Sequence, residues 1–557
     1  MIDAVSSVLP SGSVLATGSG LPTGTGVSTS TVLPTATSFT APDVSWASLL
    51  PVLIVGGAAV IGVLLEAFLP RGTRRSVQVP FALIALAAGL VAVVWRFAVV
   101  HDSGPRHGVT GGGYLEDLPG LAIQAVLLVV ALLGLLVIAD RTQTGDGSFA
   151  AQAATRPGSA DEDGAIRAGF VQTEIYPLVL FSVTGMMVFP AAGDLVTLFV
   201  ALEVLSLPLY VLTATARRRR LLSQEAAMKY FILGAFASAF FLFGIALLYG
   251  FSGSLNLSEI AAAVPTTTGL DSLLLPGVFL VLVGLLFKVG AVPFHAWTPD
   301  VYTGAPTPVT GFMAAATKIA AFGAMLRFIY VVASGLQWDL KPVLWTIAIV
   351  TMLLGTVVGL IQTDIKRMLA YSSIAHAGFV LIGVFSLVPG GVGGTIFYML
   401  AYGLATIGAF ALVTLVREKD STGAVTGEAT SINQWRGIGR TRPLLAVSML
   451  LFMMSFAGIP LTAGFVGKFS VFSAGIDGGA VPLVVIAILC SAATAFFYFR
   501  LVVLMFFSEP ETESVTVVSS EGMTVVAVAC CAIATIVLGV VPSPILELLA
   551  SAAAFVL

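Results

Sequence analysis

Charged residues are scarce in this chain. Of its 557 residues, 57% are hydrophobic and only 10% are charged, whereas soluble globular domains carry about 25% charged residues. This composition excludes a large soluble protein and predicts a polytopic membrane protein. The net charge of −3 supplies no strongly basic surface, so we predict no nucleic-acid partner.

Cysteine is rare, and the common nucleotide- and metal-binding motifs are missing. The three cysteines lie in apolar runs without C-x-x-C or Cys/His ligand spacing, as small buried residues do. No Walker A sequence occurs, because Gly467-Lys468 is followed by Phe469 rather than by Ser or Thr. We therefore predict neither a cofactor nor a metal site in this chain.

Lys and Arg are absent from the first 46 residues, which are rich in Ser, Thr, Gly, Pro and Val. Such a low-complexity segment cannot bury a core of its own. A secretory signal needs a basic region before its apolar core. We therefore predict that 1–46 is a flexible tail.

Long apolar segments fill the rest of the chain. About fourteen of them are roughly 20 residues or longer, which is the length that crosses a bilayer as an α-helix. The sequence thus predicts an all-α polytopic protein of about 14 transmembrane helices. The predicted spans are 47–69, 78–100, 118–139, 175–192, 194–214, 224–250, 273–297, 306–334, 341–362, 366–388, 391–416, 443–474, 479–508 and 521–547.

Positive charge is strongly asymmetric across this ladder of spans. With the amino terminus outside, 17 Lys and Arg residues fall on one side and only Arg106 and Lys341 on the other. Because short cytoplasmic loops hold the excess of positive charge, we predict that both termini face the outside of a bacterial plasma membrane. The run Arg217–Arg220 is most simply a topology signal, and a lipid-headgroup site is the alternative.

Spans 7 and 12 are interrupted by glycine and proline. Gly290 and Pro293 follow Lys288, and Gly458 and Pro460 precede Lys468. Freed backbone groups at membrane depth are tolerated only inside protein or beside water. Two broken helices five spans apart predict two inverted five-helix repeats. The predicted division is a tail at 1–46, three helices and a cytoplasmic loop at 47–174, repeats at 175–334 and 341–508, and a last span at 509–557.

Three lysines, Lys288, Lys318 and Lys468, lie in the middle of predicted spans. A charged side chain there costs about 2.5–3.5 kcal/mol on insertion scales, so such residues usually mark an ion or proton path. Desolvation disfavours the charged form of a lysine, which lets the amine both accept and release protons. By contrast, we expect the basic groups of Arg96, Arg327 and Arg500 to reach the interface.

Other titratable residues complete the candidate path. Glu203 supplies a carboxylate in the fifth span, and its partner is either Lys288 or Lys229. Lys229 lies near the cytoplasmic end of the sixth span, where it serves either as an anchor or as a proton relay. His295 would share a face with Lys288 in an unbroken helix, and His376 has Tyr371, Ser372 and Ser373 nearby. Each histidine suits either structural hydrogen bonding or proton relay.

Four segments resemble the antiporter-like membrane subunits of respiratory complex I. They are FKVGAVPFHAWTPDVYTGAPTPVTGFMAAATKIAA at 287–321, ALEVLSLPLY at 201–210, KRMLAYSSIAHAGF at 366–379 and AGIPLTAGFVGKF at 457–469. The resemblance covers roughly 47–547. It leaves the tail without a counterpart, and Lys468 stands where one type of subunit in this family typically has a glutamate.

The resemblance implies a role in proton translocation for seven residues. It matches Glu203 and Lys288 to a carboxylate–lysine pair, Lys318 to the central proton carrier and Lys468 to the residue facing the proton exit. The other matched positions of the polar axis are Lys229, His295 and His376.

The resemblance also implies a function and partners. The chain would be a membrane subunit of an NADH-quinone oxidoreductase, a translocase in which other subunits hold FMN, iron-sulfur clusters and the sites for NADH and quinone. Its partners would be other membrane-arm subunits and membrane lipids. The alternative is a proton-channel subunit of a multisubunit cation/proton antiporter, which shares the same core. A third reading, an assembly scaffold with structural ion pairs, does not explain three lysines at mid-membrane.

Overall fold

The computed structural model describes residues 44–104, 106–109, 111–141, 147–151, 155–156, 159–168, 170–419, 422–423, 425–509 and 515–556. The predicted tail lies almost wholly outside this part of the chain. The described residues from 44 onward belong to one compact unit.

Helices dominate the first half of that unit. Several begin at an aspartate whose carboxylate accepts a backbone N–H three residues later, as Asp117 does from Gly120 and Asp194 from Thr197, which satisfies a free donor of the first turn. A short 3-10 helix at Phe189–Ala191 extends α5. The helices are α1 (Trp46–Phe68), α2 (Arg71–Ser103), α3 (Leu118–Ala139), α4 (Ala160–Arg167), α5 (Ile175–Val188), α6 (Leu195–Thr213), α7 (Arg220–Ser252), α8 (Leu257–Ala263), α9 (Asp271–Val289) and α10 (Trp297–Gly304).

The second half is built in the same way, and Asp364 likewise caps a helix by accepting the backbone N–H of Arg367. Two further 3-10 helices lie at Ser334–Leu336 and Ile432–Trp435. The helices are α11 (Thr307–Val331), α12 (Gln337–Leu360), α13 (Ile365–Phe385), α14 (Pro389–Leu415), α15 (Ile438–Thr441), α16 (Pro443–Ala457), α17 (Ala463–Asp477), α18 (Val481–Phe507), α19 (Met523–Val540) and α20 (Ser543–Ser551).

The described residues include five short strands, which the sequence did not predict and which lie at the two ends of the bundle. Strands β1 (Arg106–Val109) and β2 (Tyr114–Glu116) form an antiparallel pair at one end. Strands β3 (Val416–Lys419), β4 (Val425–Glu428) and β5 (Val515–Val517) form a sheet in the order β4-β3-β5 at the other. We call this second end the arginine-rich face, because Arg417 of β3 lies there and Arg219 contacts Glu418 of the same strand.

Twelve helices of the described residues are long and apolar enough to cross a membrane. This confirms a helical polytopic membrane protein. Two shorter apolar helices, Ile175–Ala191 and Pro443–Ala457, fall below the length of the twelve. They lie where we predicted the fourth span and the first part of the twelfth.

Helix α11 forms the centre of the bundle. The 18 most apolar consecutive residues of α11 are all buried, and nearly all of those in α13 and α14 beside it are. The corresponding residues of α7 and α19 are only about one third buried. The outer helices therefore present the apolar surface that hydrocarbon would cover. Cys530 of α19 is exposed, in contrast to the burial we predicted, whereas Cys490 and Cys531 are buried.

Both predicted helix breaks are present. Helix α9 ends at Val289, and Gly290 adopts φ +74°, which only glycine reaches without strain. The indole of Trp297, at the start of α10, donates to the carbonyl of Phe287 at 2.9 Å and so satisfies an acceptor of the α9 terminus. In the second break, α16 ends at Ala457, and Gly458 adopts φ +80°.

The guanidinium groups of Arg96 and Arg327, which we expected to reach the interface, are buried in ion pairs. Arg96 donates to both oxygens of Glu116 at 2.6 and 2.7 Å, and Arg327 to both oxygens of Asp117 at 2.8 and 2.7 Å. All four side chains are buried. The segment joining β2 to α3 thus supplies a carboxylate to each guanidinium, and paired geometry of this kind offsets much of the desolvation cost. Arg500 is half-buried and lies near carbonyls at the end of α12.

Candidate functional site

Lys288 lies in the last turn of α9, next to the first helix break. Its ammonium donates to Ser206 Oγ of α6 at 2.7 Å and to the hydroxyl of Tyr230 in α7 at 3.2 Å. It also lies 5.2 Å from the centre of the Tyr230 ring and 5.8 Å from that of Tyr210. The side chain is 2% exposed. Hydroxyl and aromatic groups therefore replace water around this nitrogen.

Glu203 lies three residues before Ser206 on α6, on the same helix face. The hydroxyl of Ser238 in α7 donates to its carboxylate. Among the described residues, no ion pair joins Glu203 to Lys288 or to Lys229. The carboxylate thus lies beside the residue that binds Lys288 without itself binding the ammonium.

Lys229 has a different environment from the other lysines. Its ammonium lies 2.6 Å from Glu225 and 2.8 Å from Asp300, and its side chain is 42% exposed. Asp300 also accepts from Arg367 at 3.0 Å. Lys229 therefore belongs to an exposed cluster of charges and not to the buried lysines.

His295 lies between α9 and α10. Because α9 ends at Val289, the helical spacing that would align His295 with Lys288 does not apply. The imidazole is half-buried, and its Nδ1 atom has no hydrogen-bond partner within the described residues.

Lys318 lies near the middle of α11, the most buried helix. Its ammonium donates to the carbonyl of Ser373 in α13 at 2.6 Å and lies 5.7 Å from the centre of the Tyr402 ring. No carboxylate forms an ion pair with it in the part of the chain that the structure describes. Ser373 Oγ lies 3.5 Å from the hydroxyl of Tyr302 in α10, which extends the polar contacts toward the first helix break.

His376 is held by two tyrosines. Its Nδ1 atom lies 2.8 Å from the hydroxyl of Tyr398 in α14, and its Nε2 atom 3.1 Å from that of Tyr498 in α18. These partners differ from the neighbours on its own helix that we predicted, since Ser372 instead bonds to Tyr498. In either neutral tautomer one ring nitrogen donates and the other accepts.

Lys468 lies on α17, just beyond the second break. Its ammonium donates to the carbonyls of Phe456 and Ala457 at 2.8 and 3.1 Å and to Ser491 Oγ at 2.8 Å. These carbonyls are at the carboxyl end of α16, where unpaired acceptors and the helix dipole favour a cation.

Aromatic rings lie between Lys318 and Lys468. Tyr402, beside Lys318, has its ring centre 5.2 Å from that of His376, and the ring centre of Phe456 lies 5.4 Å from the same imidazole. The carbonyl of Phe456 accepts from Lys468. The structure thus brings Lys318, His376 and Lys468 into one buried series.

Sequence reasoning missed most of the hydroxyl groups in this series. A lone serine or tyrosine in an apolar helix carries no charge signal, so only helical spacing could have indicated them. Ser206, three residues after Glu203, offered that signal. The missed groups are Ser206, Tyr230, Ser238, Tyr302, Tyr398, Tyr402, Ser491 and Tyr498.

The arrangement suits proton exchange. Amine, imidazole and hydroxyl groups can each accept and donate protons at fixed positions. Among the described residues, no cluster of three or more His, Cys, Asp or Glu side chains could hold a metal ion.

Comparisons with known proteins identify a family for this chain. Residues 192–494 match the family described as NADH:quinone oxidoreductase/Mrp antiporter, TM. The NADH-quinone oxidoreductase subunit N of Beutenbergia cavernae is 61% identical over 529 residues, which cover 93% of this chain and 100% of that protein.

Two solved structures share the fold. A chain of respiratory complex I from Thermus thermophilus with bound aureothin is 32% identical, with a TM-score of 0.71, covering 90% of this chain and 100% of that one. A chain of the Mrp complex from Dietzia is 22% identical, with a TM-score of 0.74, covering 91% and 97%; this likeness concerns the fold alone. On the sequence relationships, the chain belongs to the subunit N family of NADH-quinone oxidoreductases, which confirms the resemblance described above.

Proposed function

We propose that this chain moves protons across the bacterial plasma membrane as a subunit of an NADH-quinone oxidoreductase, while electrons pass from NADH to quinone in other subunits. The observation that supports this most directly is the set of three buried lysines without ion-pair partners among the described residues, spaced along hydroxyl and imidazole groups. A purely structural role would leave their desolvation unexplained.

Each site residue has a proposed role. A change in the distance between Glu203 and Lys288 alters the electrostatic potential at Lys318, the central carrier, and so its proton affinity. Lys318 exchanges a proton with Lys468 through the hydroxyls that hold His376, and Lys468 releases it outside. His295, whose Nδ1 atom has no hydrogen-bond partner among the described residues, is a relay at the first break. Lys229, bound to Asp300, is proposed to take part in proton uptake together with the charged residues around it.

The energies involved are small enough for such a mechanism. Moving one charge through about 100 mV takes about 2.3 kcal/mol. One pKa unit corresponds to about 1.36 kcal/mol. Moving one carboxylate and one lysine closer together or further apart in a low-dielectric core changes their interaction energy by a comparable amount. No redox chemistry in this chain is needed.

The proposed topology has fourteen spans with both termini outside. It counts α5 with its 3-10 extension as one span and the broken pair α16–α17 as another. Spans 4–8 and 9–13 are then two inverted repeats, and the excess of Lys and Arg at the arginine-rich face supports a cytoplasmic position for that face. The domain limits proposed from the sequence, 47–174, 175–334, 341–508 and 509–557, follow this division.

The proposed partners are neighbouring membrane-arm subunits and membrane lipids. The relatives are named as subunits of NADH-quinone oxidoreductase, so the FMN, iron-sulfur clusters and quinone of the assembly are assigned to other chains. A cation/proton antiporter subunit is the alternative, because the matching family model also includes Mrp antiporters.

The test is proton pumping by the purified assembly in proteoliposomes. Lys318→Met should abolish NADH-driven acidification, measured with a pH-sensitive dye, while assembly is retained. Lys341→Met is the matched control, because Lys341 packs on Trp345 away from the buried series. Full pumping by Lys318→Met would contradict the proposal. Pumping that requires sodium in the wild-type assembly would favour the antiporter alternative.

A further inference from the structure

A basic cavity lies on the arginine-rich face, and none of Lys288, Lys318 and Lys468 lines it. It has a volume of about 250 Å³ and is lined mainly by connections between helices, including 216–219, 303–306 and the strands β3 and β4. Five cationic side chains face two acidic ones, Glu418 and Glu428. The cationic residues are Arg217, Arg218, Arg219, Lys366 and Arg417. Among the described lining residues, cationic side chains therefore outnumber carboxylates.

The two carboxylates make only long contacts with the cations of the cavity. Glu418 lies 3.8 Å from Arg219, and Glu428 lies 3.8 Å from Lys366 and 3.9 Å from Arg417. These separations exceed those of charge-assisted hydrogen bonds, which are about 2.7–2.9 Å. The carboxylates instead accept hydrogen bonds from neutral groups: Glu418 from Gln434, and Glu428 from Thr307.

Donors therefore remain available at the cavity. The Nε atom of Arg417 is buried and has no hydrogen-bond partner among the described residues. Lys366 is buried, and its ammonium donates to the carbonyl of Ala305 at 2.9 Å, which fixes its position and uses one of its three protons. Arg219 has a half-exposed side chain. An unpartnered buried donor is costly, and an acceptor in the cavity would remove that cost.

The backbone also favours a binding role for Arg219. This residue adopts φ +56° before the first turn of α7. A non-glycine residue in the left-handed region costs about 1–2 kcal/mol, and such strain persists mostly at functional sites. Arg219 lines the cavity.

The size and lining of the cavity limit the ligand. Sites for drug-sized ligands occupy about 300–1,000 Å³, so this volume suits a phosphate-bearing group and not a dinucleotide. Among the described residues, none of the large apolar side chains exposed on the outside of the bundle lines it. Access from water therefore fits the lining better than access from lipid chains.

We propose that the basic cavity binds a phosphate group, carried either by a small soluble anion or by a lipid headgroup. Arg219, Lys366 and Arg417 supply its donors. Guanidinium groups match the geometry of phosphate oxygens and bind them in pairs of hydrogen bonds. The site is separate from the proposed proton path and does not depend on it.

The test uses the purified assembly with inorganic pyrophosphate as the probe. Equilibrium dialysis with labelled pyrophosphate in a low-chloride buffer should show saturable binding. Arg219→Gln and Arg417→Gln should each weaken that binding at least tenfold. Arg442→Gln is the matched control, since this exposed arginine lies outside the cavity lining. Arg219→Lys keeps the charge and should retain part of the affinity, which separates lost binding from misfolding.

Competition distinguishes the sources of phosphate. Displacement of pyrophosphate by phosphatidylglycerol in nanodiscs, but not by phosphatidylcholine, would support the phosphate site and assign it to a lipid headgroup. Binding insensitive to both lipids supports a soluble anion. Binding unchanged by the arginine substitutions, or equal competition by chloride, would overturn the proposal.

Discussion

The ammonium of Lys318 lies 2.6 Å from the carbonyl of Ser373, and no carboxylate forms an ion pair with it among the described residues. A carbonyl can accept from either the ammonium or the neutral amine. The contact therefore holds the nitrogen in place in both protonation states, which is what a carrier in a fixed position needs.

Removal of Ser206 should disturb Lys288. In Ser206→Ala the ammonium loses its closest acceptor, and an unsatisfied buried donor costs about 1–3 kcal/mol. We expect reduced NADH-driven pumping with near-normal assembly, measured in proteoliposomes. Ser470→Ala, which removes a hydroxyl that donates to the Val466 carbonyl of its own helix, is the control. Equal pumping by Ser206→Ala and wild type would refute a role for this contact.

Addition of a methyl group at Gly458 should displace Lys468. A Cβ atom there would lie 2.9 Å from Lys468 Cδ, and the residue adopts φ +80°. Gly458→Ala therefore combines backbone strain of about 1–2 kcal/mol with movement of the lysine. We expect lower pumping per electron transferred. Gly57→Ala is the control, because nothing lies within 4 Å of its added Cβ, and it should pump normally.

Loss of the Asp117 charge should destabilise the fold more than the proton path. Asp117→Asn leaves the buried guanidinium of Arg327 without its ionic partner, and breaking such a pair typically costs about 3–5 kcal/mol. We expect a lower thermal midpoint for the assembled protein. The double variant Asp117→Leu/Arg327→Met, which leaves no uncompensated charge, should recover part of the loss. A midpoint for Asp117→Asn equal to that of wild type would show that the pair adds nothing.

The stability contributed by Glu428 should depend on pH. Burial raises the pKa of this carboxyl, but the charges of Lys366 and Arg417 and the hydrogen bond from Thr307 outweigh that effect, so its pKa lies below its usual value. A lowered carboxyl pKa contributes stability above the unfolded pKa, about 4.3, and the contribution disappears as the pH falls through the folded pKa.

Glu428→Gln should therefore lower the thermal midpoint at pH 7, since a hydrogen bond to a charged group contributes about 1.5–3 kcal/mol. The difference from wild type should shrink as the pH falls below about 4.3. Glu259→Gln, at an exposed position of α8, controls for loss of a carboxylate. A difference that is constant from pH 7 to pH 3.5 would contradict this assignment.

Much of the fold could be predicted because hydrophobic length and proline position are local signals. The apolar runs predicted the helices, and Gly290 and Gly458 marked both breaks. The burial of Arg96 and Arg327 could not be predicted, because their partners Glu116 and Asp117 are distant in sequence and lie in a connection rather than in a span. The charge of the two arginines predicted contact with the interface, but their burial depends on ion pairs that form only in the folded structure.

The candidate site was predicted through its charges but not through its neutral groups. Lys288, Lys318 and Lys468 stand out in apolar helices, so sequence reasoning found them. The tyrosines around His376 come from α14 and α18, and no spacing within one helix reveals such contacts. His295 was placed by helical periodicity, which fails because α9 ends six residues before it.

The absence of ion-pair partners at Lys288, Lys318 and Lys468, in the part of the chain that the structure describes, has an electrostatic consequence. Like charges in one low-dielectric interior repel each other, and hydroxyls and carbonyls cannot cancel that repulsion as a fixed carboxylate would. Under the proposed function, a proton held at one lysine therefore opposes loading of the next. The three nitrogens would fill alternately rather than together, so that occupancy at one end of the series reports on occupancy at the other.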